Sequence, residues 1–141
     1  MKTLKTLPIM ERILFLQKIP LFAGMPAEDL KKVASVAGEK FFPDGSYLAR
    51  KGDAGHEMYI IISGEVLVMS ETGVEIARHA GGGYVGEMAV LSQEPRSASL
   101  LAKADVRVLA IGQREFEEIL RERPDASLAV IRELCTRLRN M

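Results

Sequence analysis

Residues 81–101 read GGGYVGEMAVLSQEPRSASLL, and the rest of the chain is read outward from them. Three glycines are followed by Gly86-Glu87, by a helix-permitting run from Met88 to Leu91, and then by Pro95-Arg96-Ser97-Ala98-Ser99. One acid, one arginine and two small hydroxyls are thereby gathered on a mostly apolar loop. An ionised Glu87 only accepts hydrogen bonds and suits a sugar hydroxyl, whereas the planar fork of Arg96 suits a phosphate. A short helix starting at Glu87 would add the partial positive charge of its unpaired amides. Glycine at 86 lets a ligand approach the backbone, and Pro95 biases Glu94 toward an extended conformation that aims Arg96 back at the helix start. These residues predict one pocket for a small ligand that carries an anion beside sugar hydroxyls.

Around this stretch the sequence has short apolar runs broken by turn residues. Strands are predicted at 41–42, 47–49, 58–62, 66–69, 74–77, 98–102 and 106–111. Pro43-Asp44-Gly45, Gly52-Asp53-Ala54-Gly55, Gly64, Glu71-Thr72-Gly73 and the three glycines at 81–83 separate them. Seven or eight strands at that spacing favour a closed or double-sheet β architecture. Val66, Val68 and Ser70 should face one way and Leu67 and Met69 the other, while 59–62 reads as buried on both faces.

Helical periodicity takes over at both ends. A helix is predicted over 4–18 from Leu7, Ile9, Met10, Ile13, Leu14 and Leu16, with Pro8 tolerable only near its start. A second opens at Pro26-Ala27-Glu28-Asp29 and runs to about Ala37, with Leu30, Val33, Ala34 and Ala37 inward. Beyond Gly112, Phe116, Ile119 and Leu120 line one helix until Pro124 interrupts. Leu128, Ile131, Leu134, Cys135 and Leu138 then make a stripe on the next. The expected fold is α+β, mainly β: an eight-stranded jelly-roll-like β-barrel flanked by N-terminal helices and two C-terminal helices. With no repeat or linker inside the chain, a single domain over 1–141 is expected, divided into N-terminal helices at 1–37, barrel at 38–111 and C-terminal helices at 112–141.

The chain has 141 residues, 48% of them hydrophobic and 27% charged, as expected for one soluble globular domain with its own core. Nineteen basic and nineteen acidic side chains cancel, which argues against direct nucleic-acid binding or a general affinity for acidic lipid. No apolar run approaches the ~18 residues of a membrane span, and the N-terminus lacks a signal-peptide core. No membrane insertion by this chain is expected. The single cysteine, Cys135, forms no internal disulfide, which fits a cytoplasmic location.

Other chemistries fit less well. The three glycines lack the lysine and hydroxyl of a nucleoside triphosphate loop and read as a flexible turn into the site. His56 and His79 lie on separate turns without a His-x-His pair, so they read as surface residues and no metal is expected. Cys135 reads as core rather than nucleophile. With no general acid and base placed beside a nucleophile, the chain is not expected to be an enzyme.

Val85-Gly86-Glu87-Met88-Ala89-Val90 and Pro95-Arg96-Ser97-Ala98-Ser99 resemble the phosphate-binding cassette of cyclic nucleotide-binding domains. That family is found in catabolite activator proteins, protein kinase A regulatory subunits and cyclic nucleotide-gated channels. Valine stands at 85 in place of the usual phenylalanine. The resemblance extends through Lys51-Gly52-Asp53, through 58–66 and into the closing helices, and Ile19-Pro20-Leu21-Phe22-Ala23-Gly24-Met25 looks like the short helical turn that precedes the barrel. It implies a cassette at 81–101 in which Gly86, Glu87, Met88, Ala89, Arg96, Ser97, Ala98 and Ser99 bind the ligand. Glu87 would take the ribose 2′-hydroxyl, Arg96 the exocyclic phosphate oxygens, Ser97 would donate to the phosphate and Ala98 would offer its amide.

The implied ligand is cAMP, with cGMP as the alternative, since Ser97 alone does not choose the base. The implied function is a regulatory module, part of a larger protein, that signals by movement of its C-terminal helices. Met88, Val90 and Leu91 would transmit the change, and Leu134 and Leu138 are lid candidates. Its partners would be the cyclic nucleotide and an effector domain in the same or another chain, and the last helix offers a seam for a homodimer. The competing reading is a ligand-free structural or protein-interaction module with a degenerate cassette.

Overall fold

The computed structural model describes residues 7–141, which form two compact units, 38–113 and a helical unit built from residues up to 37 together with 114–141. The predicted start of the first helix at residue 4 lies outside the described residues.

The first unit is a six-stranded antiparallel sheet. Its strands are β1 (Gly38–Phe42), β2 (Tyr47–Ala49), β3 (Glu57–Met69), β4 (Glu75–Ala80), β5 (Tyr84–Val85) and β6 (Ser99–Gly112). The path runs β1-β6-β3-β4, with β2 also paired to β6 and β5 to β3. The two long strands form its spine: Glu57 lies opposite Gly112 and Met69 opposite Ser99. One short helix, α4 (Glu87–Ser92), belongs to this unit.

The strand count therefore differs from the predicted eight. The runs 58–62 and 66–69 are one strand, as are 98–102 and 106–111, and the two-residue β5 carried too short a pattern to be read. Gly64 bends β3 without ending it, at φ +89°, and Ala104 turns β6 at φ +62°. The register slips between Ile61 and Ser63 and again between Ser63 and Glu65, as a bulged strand does when it twists sharply. A Cβ at Gly64 would overlap the Asp105 carbonyl and lie 2.9 Å from Val106 Cγ2. Gly64→Ala is expected to cost at least about 2 kcal/mol, from left-handed backbone strain and overlap together. A lower urea midpoint with an unchanged slope would show it.

Tyr59, Ile61, Val66, Val85, Leu100, Ala102, Val106, Val108 and Ala110 form the sheet core, with Phe42 and Val68 packed on it. Alternation puts Met58, Ile60, Leu109 and Ile111 on the other face, where all four are fully buried. The prediction of burial on both faces of 59–62 thus holds for Tyr59, Ile60 and Ile61, whereas Ile62 is half-buried. The three glycines do not swing freely into the site: Gly82 N donates to Ile61 O, and Ile61 N donates to Gly83 O, both at 2.9 Å.

The helical unit holds α1 (Ile9–Gln17), α2 (Pro20–Ala23), α3 (Ala27–Val36), α5 (Gln113–Glu122, from Arg114 on) and α6 (Pro124–Arg139). Pro8 and Pro26 stand just before their helices, and Pro20 and Pro124 open theirs, where a missing N–H costs nothing. Leu30, Val33, Ala34 and Ala37 are buried as predicted, as are Phe116 and Ile119. Phe22 and Phe116 meet edge to face at 6.0 Å.

Asp29, fully buried on α3, accepts a hydrogen bond from Arg123 Nε at 2.6 Å. That bond, first, and the carboxylate's charge push the Arg123 guanidinium above its ordinary range. Two apolar stripes are largely uncovered, with Ile13 of α1 and Leu134 of α6 half-buried. Only Leu16 of α1 is buried. On α6 the buried face is Ala126, Ala129 and Val130, while Leu128, Ile131 and Leu138 are exposed. Cys135, expected in the core, is exposed too, because the small side chains rather than the large ones pack this helix. No helix among the described residues is long and apolar enough to cross a membrane.

Candidate functional site

The candidate site is built wholly within the sheet unit, where β5 passes through Gly86 into α4. Gly86 adopts φ +85° as the residue capping α4, a left-handed conformation that glycine takes without strain. A Cβ there would also overlap Arg96 Nη1 and lie 3.3 Å from the Glu57 carbonyl oxygen. Glycine at 86 thus makes room for the arginine as well as for the turn. Glu87 and Ala89 are nearly buried and Val90 is fully so, whereas Met88 is 62% exposed. Gly55 closes the other side of α4, since a methyl on it would overlap Ala89 Cβ. Gln113 Nε2 donates to Val90 O at 3.3 Å and ties down the end of the helix.

Arg96 is held by its backbone and its side chain separately. Its N–H donates to Asp53 O at 2.8 Å and its carbonyl accepts from Gly52 N at 2.9 Å. This explains why the Gly52-Asp53 turn accompanies the cassette. The Arg96 side chain points inward and the residue is 6% exposed, with Nη2 donating to the Glu57 carbonyl at 2.6 Å. Its Nε and Nη1 are buried with no hydrogen-bond partner among the described residues. Arg96 Cζ lies 5.7 Å from the centre of the Tyr59 ring, within cation–π range. Burial, followed by the Glu57 charge and hydrogen bond, pushes the Tyr59 phenol well above its ordinary range, against the pull of Arg96.

The remaining predicted residues are distributed unevenly. Ser97 is exposed, and Ala98 and Ser99 are half-buried. Because β6 begins at Ser99, strand alternation does not govern Ser97. Ser99 Oγ accepts a hydrogen bond from Lys51 N at 3.0 Å, so this hydroxyl helps fasten the 50s turn. Leu134 is half-buried on α6 and Leu138 is exposed. His56 is exposed and His79 half-buried, and no metal-ligating cluster is present among the described residues. Glu57, Tyr59 and Gly55 are absent from the predicted site, Gly55 being expected only in a turn and Tyr59 only in a buried strand. The signal for the first two was an acid opening an apolar strand two residues before a tyrosine, an i, i+2 pair that shares one face.

A profile of the family described as the cyclic nucleotide-binding domain matches residues 39–123. The chain belongs to this family. Its cyclic nucleotide-binding domain is 35% identical over 108 residues to the cAMP-dependent protein kinase regulatory subunit of Emericella nidulans, covering 75% of this chain and 26% of that one. It is 33% identical over 110 residues to the subunit of the same name from Blastocladiella emersonii, covering 75% and 27%. The chain thus spans about a quarter of the length of these curated relatives.

Among solved structures, the cyclic nucleotide-binding domain is similar to the regulatory domain of Toxoplasma gondii PKA with cAMP, with a TM-score of 0.80, 25% identity, and 94% of this chain and 50% of that one covered. The N-terminal domain of a transcriptional regulator from Streptomyces coelicolor gives 0.75 at 28% identity, covering 89% and 93%. The regulatory subunit of a cAMP-independent protein kinase A from Trypanosoma brucei gives 0.78 at 25%, covering 94% and 47%.

Proposed function

We propose that this cyclic nucleotide-binding domain is a regulatory module that binds cAMP, with cGMP as the second choice, and signals by movement of its C-terminal helices. The observation that carries the reading is Arg96: a buried guanidinium with two nitrogens unpartnered among the described residues, beside a glycine. Buried donors left unpaired are costly, and an anion arriving there satisfies them. Gly86, Glu87, Met88 and Ala89 would line the sugar side and Ser97, Ala98 and Ser99 the phosphate side, with Glu87 on the ribose. Relatives named as regulatory subunits of a cAMP-dependent kinase, and a structural neighbour with cAMP, support that ligand.

The same reading takes 1–141 as one domain and as a regulatory rather than catalytic part of a larger cytoplasmic protein, acting on an effector domain in the same or another chain. It takes the sheet as a jelly-roll-like barrel, in which β3 and β6, each bent near its middle, supply two staves apiece and bring the count to eight. Leu134 and Leu138 would serve as lid residues. The exposed stripe on α6 is available for a homodimer.

A second reading, a ligand-free module, draws on the likeness to a cAMP-independent regulatory subunit and on the inward Arg96. Calorimetric titration of the purified chain with cAMP, cGMP and 5′-AMP separates the two. Saturable binding of one cyclic nucleotide, with 5′-AMP much weaker, is expected; no heat from any of the three would favour the ligand-free module.

A further inference from the structure

We infer that Tyr59 and Glu57 form a positioning pair that presets the Arg96 guanidinium for its anion. The inference rests on the anion-binding reading of Arg96 and adds the residues that hold it.

Glu57 opens β3, and Tyr59, two residues on, lies on the same face. Glu57 Oε1 accepts from the Tyr59 hydroxyl at 3.0 Å and from Lys40 Nζ at 2.6 Å. The same hydroxyl is 3.3 Å from the Leu48 carbonyl. The Tyr59 ring is fixed a second way, by Phe42 set edge to face at 5.7 Å and 82°. A phenol pinned at its oxygen and along its ring is a rigid platform, and that platform carries Arg96. Glu57 completes the seat: its side chain is occupied by Tyr59 and Lys40, and its main-chain carbonyl takes Nη2 of Arg96.

The arrangement does two things that a bare pocket would not. It counters the burial cost of the guanidinium with a ring face and a carbonyl, neither of which carries a full negative charge to compete with an incoming anion. It also uses one nitrogen for orientation and leaves Nε and Nη1 without a partner among the described residues. Tyr59 and Glu57 therefore act through Arg96, and Lys40 acts through Glu57. Pre-organisation of this kind raises affinity by removing the cost of ordering a long side chain at the moment of binding.

The test uses the full chain and two readouts. Nuclear magnetic resonance of the Arg96 Nε–H in the ligand-free protein, identified by its loss in Arg96→Lys, reports whether the side chain is held. The Nε–H of Arg12, which donates to Leu7 O at 3.0 Å, serves as the reference. In Tyr59→Phe the Arg96 signal is expected to broaden or move to the averaged position while that of Arg12 stays in place, and Glu57→Gln should shift it in the same sense. Titration with cAMP should then show roughly three- to ten-fold weaker binding for Tyr59→Phe and no further loss when it is added to Arg96→Lys.

An unchanged Arg96 signal in both variants would overturn the inference, as would an equal loss of affinity in the native and Arg96→Lys backgrounds. Should the native chain bind neither cAMP nor cGMP, the titration refutes the nucleotide reading, and the spectra of the ligand-free chain still decide whether Tyr59 and Glu57 hold Arg96.

Discussion

Replacing Arg96 by alanine should lower the affinity for cyclic nucleotide by about 2–5 kcal/mol, roughly thirty-fold or more. The size follows from burial. Arg96 is buried, with its guanidinium beside Gly86 and the Tyr59 ring, so a phosphate reaching it is desolvated and cannot recover its interaction from water. Alanine would leave that anion facing the Glu57 carbonyl, which repels it. Arg96→Lys keeps the charge but loses the planar fork and its second donor, so an intermediate loss is expected. The backbone bonds from residue 96 to Gly52 and Asp53 survive both changes, and the unfolding midpoint should move far less than the affinity. Parallel calorimetric titrations and thermal melts of the three proteins make the comparison. Equal affinity in native protein and Arg96→Ala would remove the phosphate assignment.

Phe116→Ala should have the largest effect on stability, about 3–5 kcal/mol. Phe116 is fully buried and meets the ring of Phe22, also fully buried, at 6.0 Å and 86°. Removing either ring leaves a cavity against the other, between the short helices α2 and α5, which have little intrinsic stability to spare. A small domain has only about 5–15 kcal/mol in total, so roughly a fifth of it or more would go. The edge-to-face contact adds about 0.5–1.5 kcal/mol beyond burial. The double variant with Phe22→Ala should therefore lose less than the sum of the two single ones. Urea unfolding curves for the four proteins measure this directly, and full additivity would show that the two rings are not coupled.

The alternation of Val66 and Val68, the helix openings at Pro26 and Pro124 and the Gly86-Glu87 turn could all be read from sequence, because each depends on neighbours a few residues away. What escaped was non-local. Gly64 reads as a break, since a glycine between two apolar runs usually marks a turn; only its packing against Asp105 and Val106 shows that the strand continues. The α6 stripe reads equally as a core face or as a seam for a second chain, and only the structure shows that Ala126, Ala129 and Val130 are buried while Leu128, Ile131 and Leu138 are exposed. At the site, Glu87 and Arg96 stood out through their short spacing. Tyr59 did not, because its role depends on a guanidinium that comes to it from 37 positions along the chain.

The two ways in which Arg96 is held differ in kind. Its side chain rests on β3, which is paired on both sides at Tyr59, with Val85 and with Ala110. Its main chain is fastened by two bonds to a turn whose residues are exposed. Strands paired on both edges open last in a folded protein, and exposed turns open first. On the anion-binding reading of Arg96, a ligand would meet a floor that opens late and a rim that opens early. Its rate of escape should follow the opening of that rim, leaving the lifetime of the fold itself untouched.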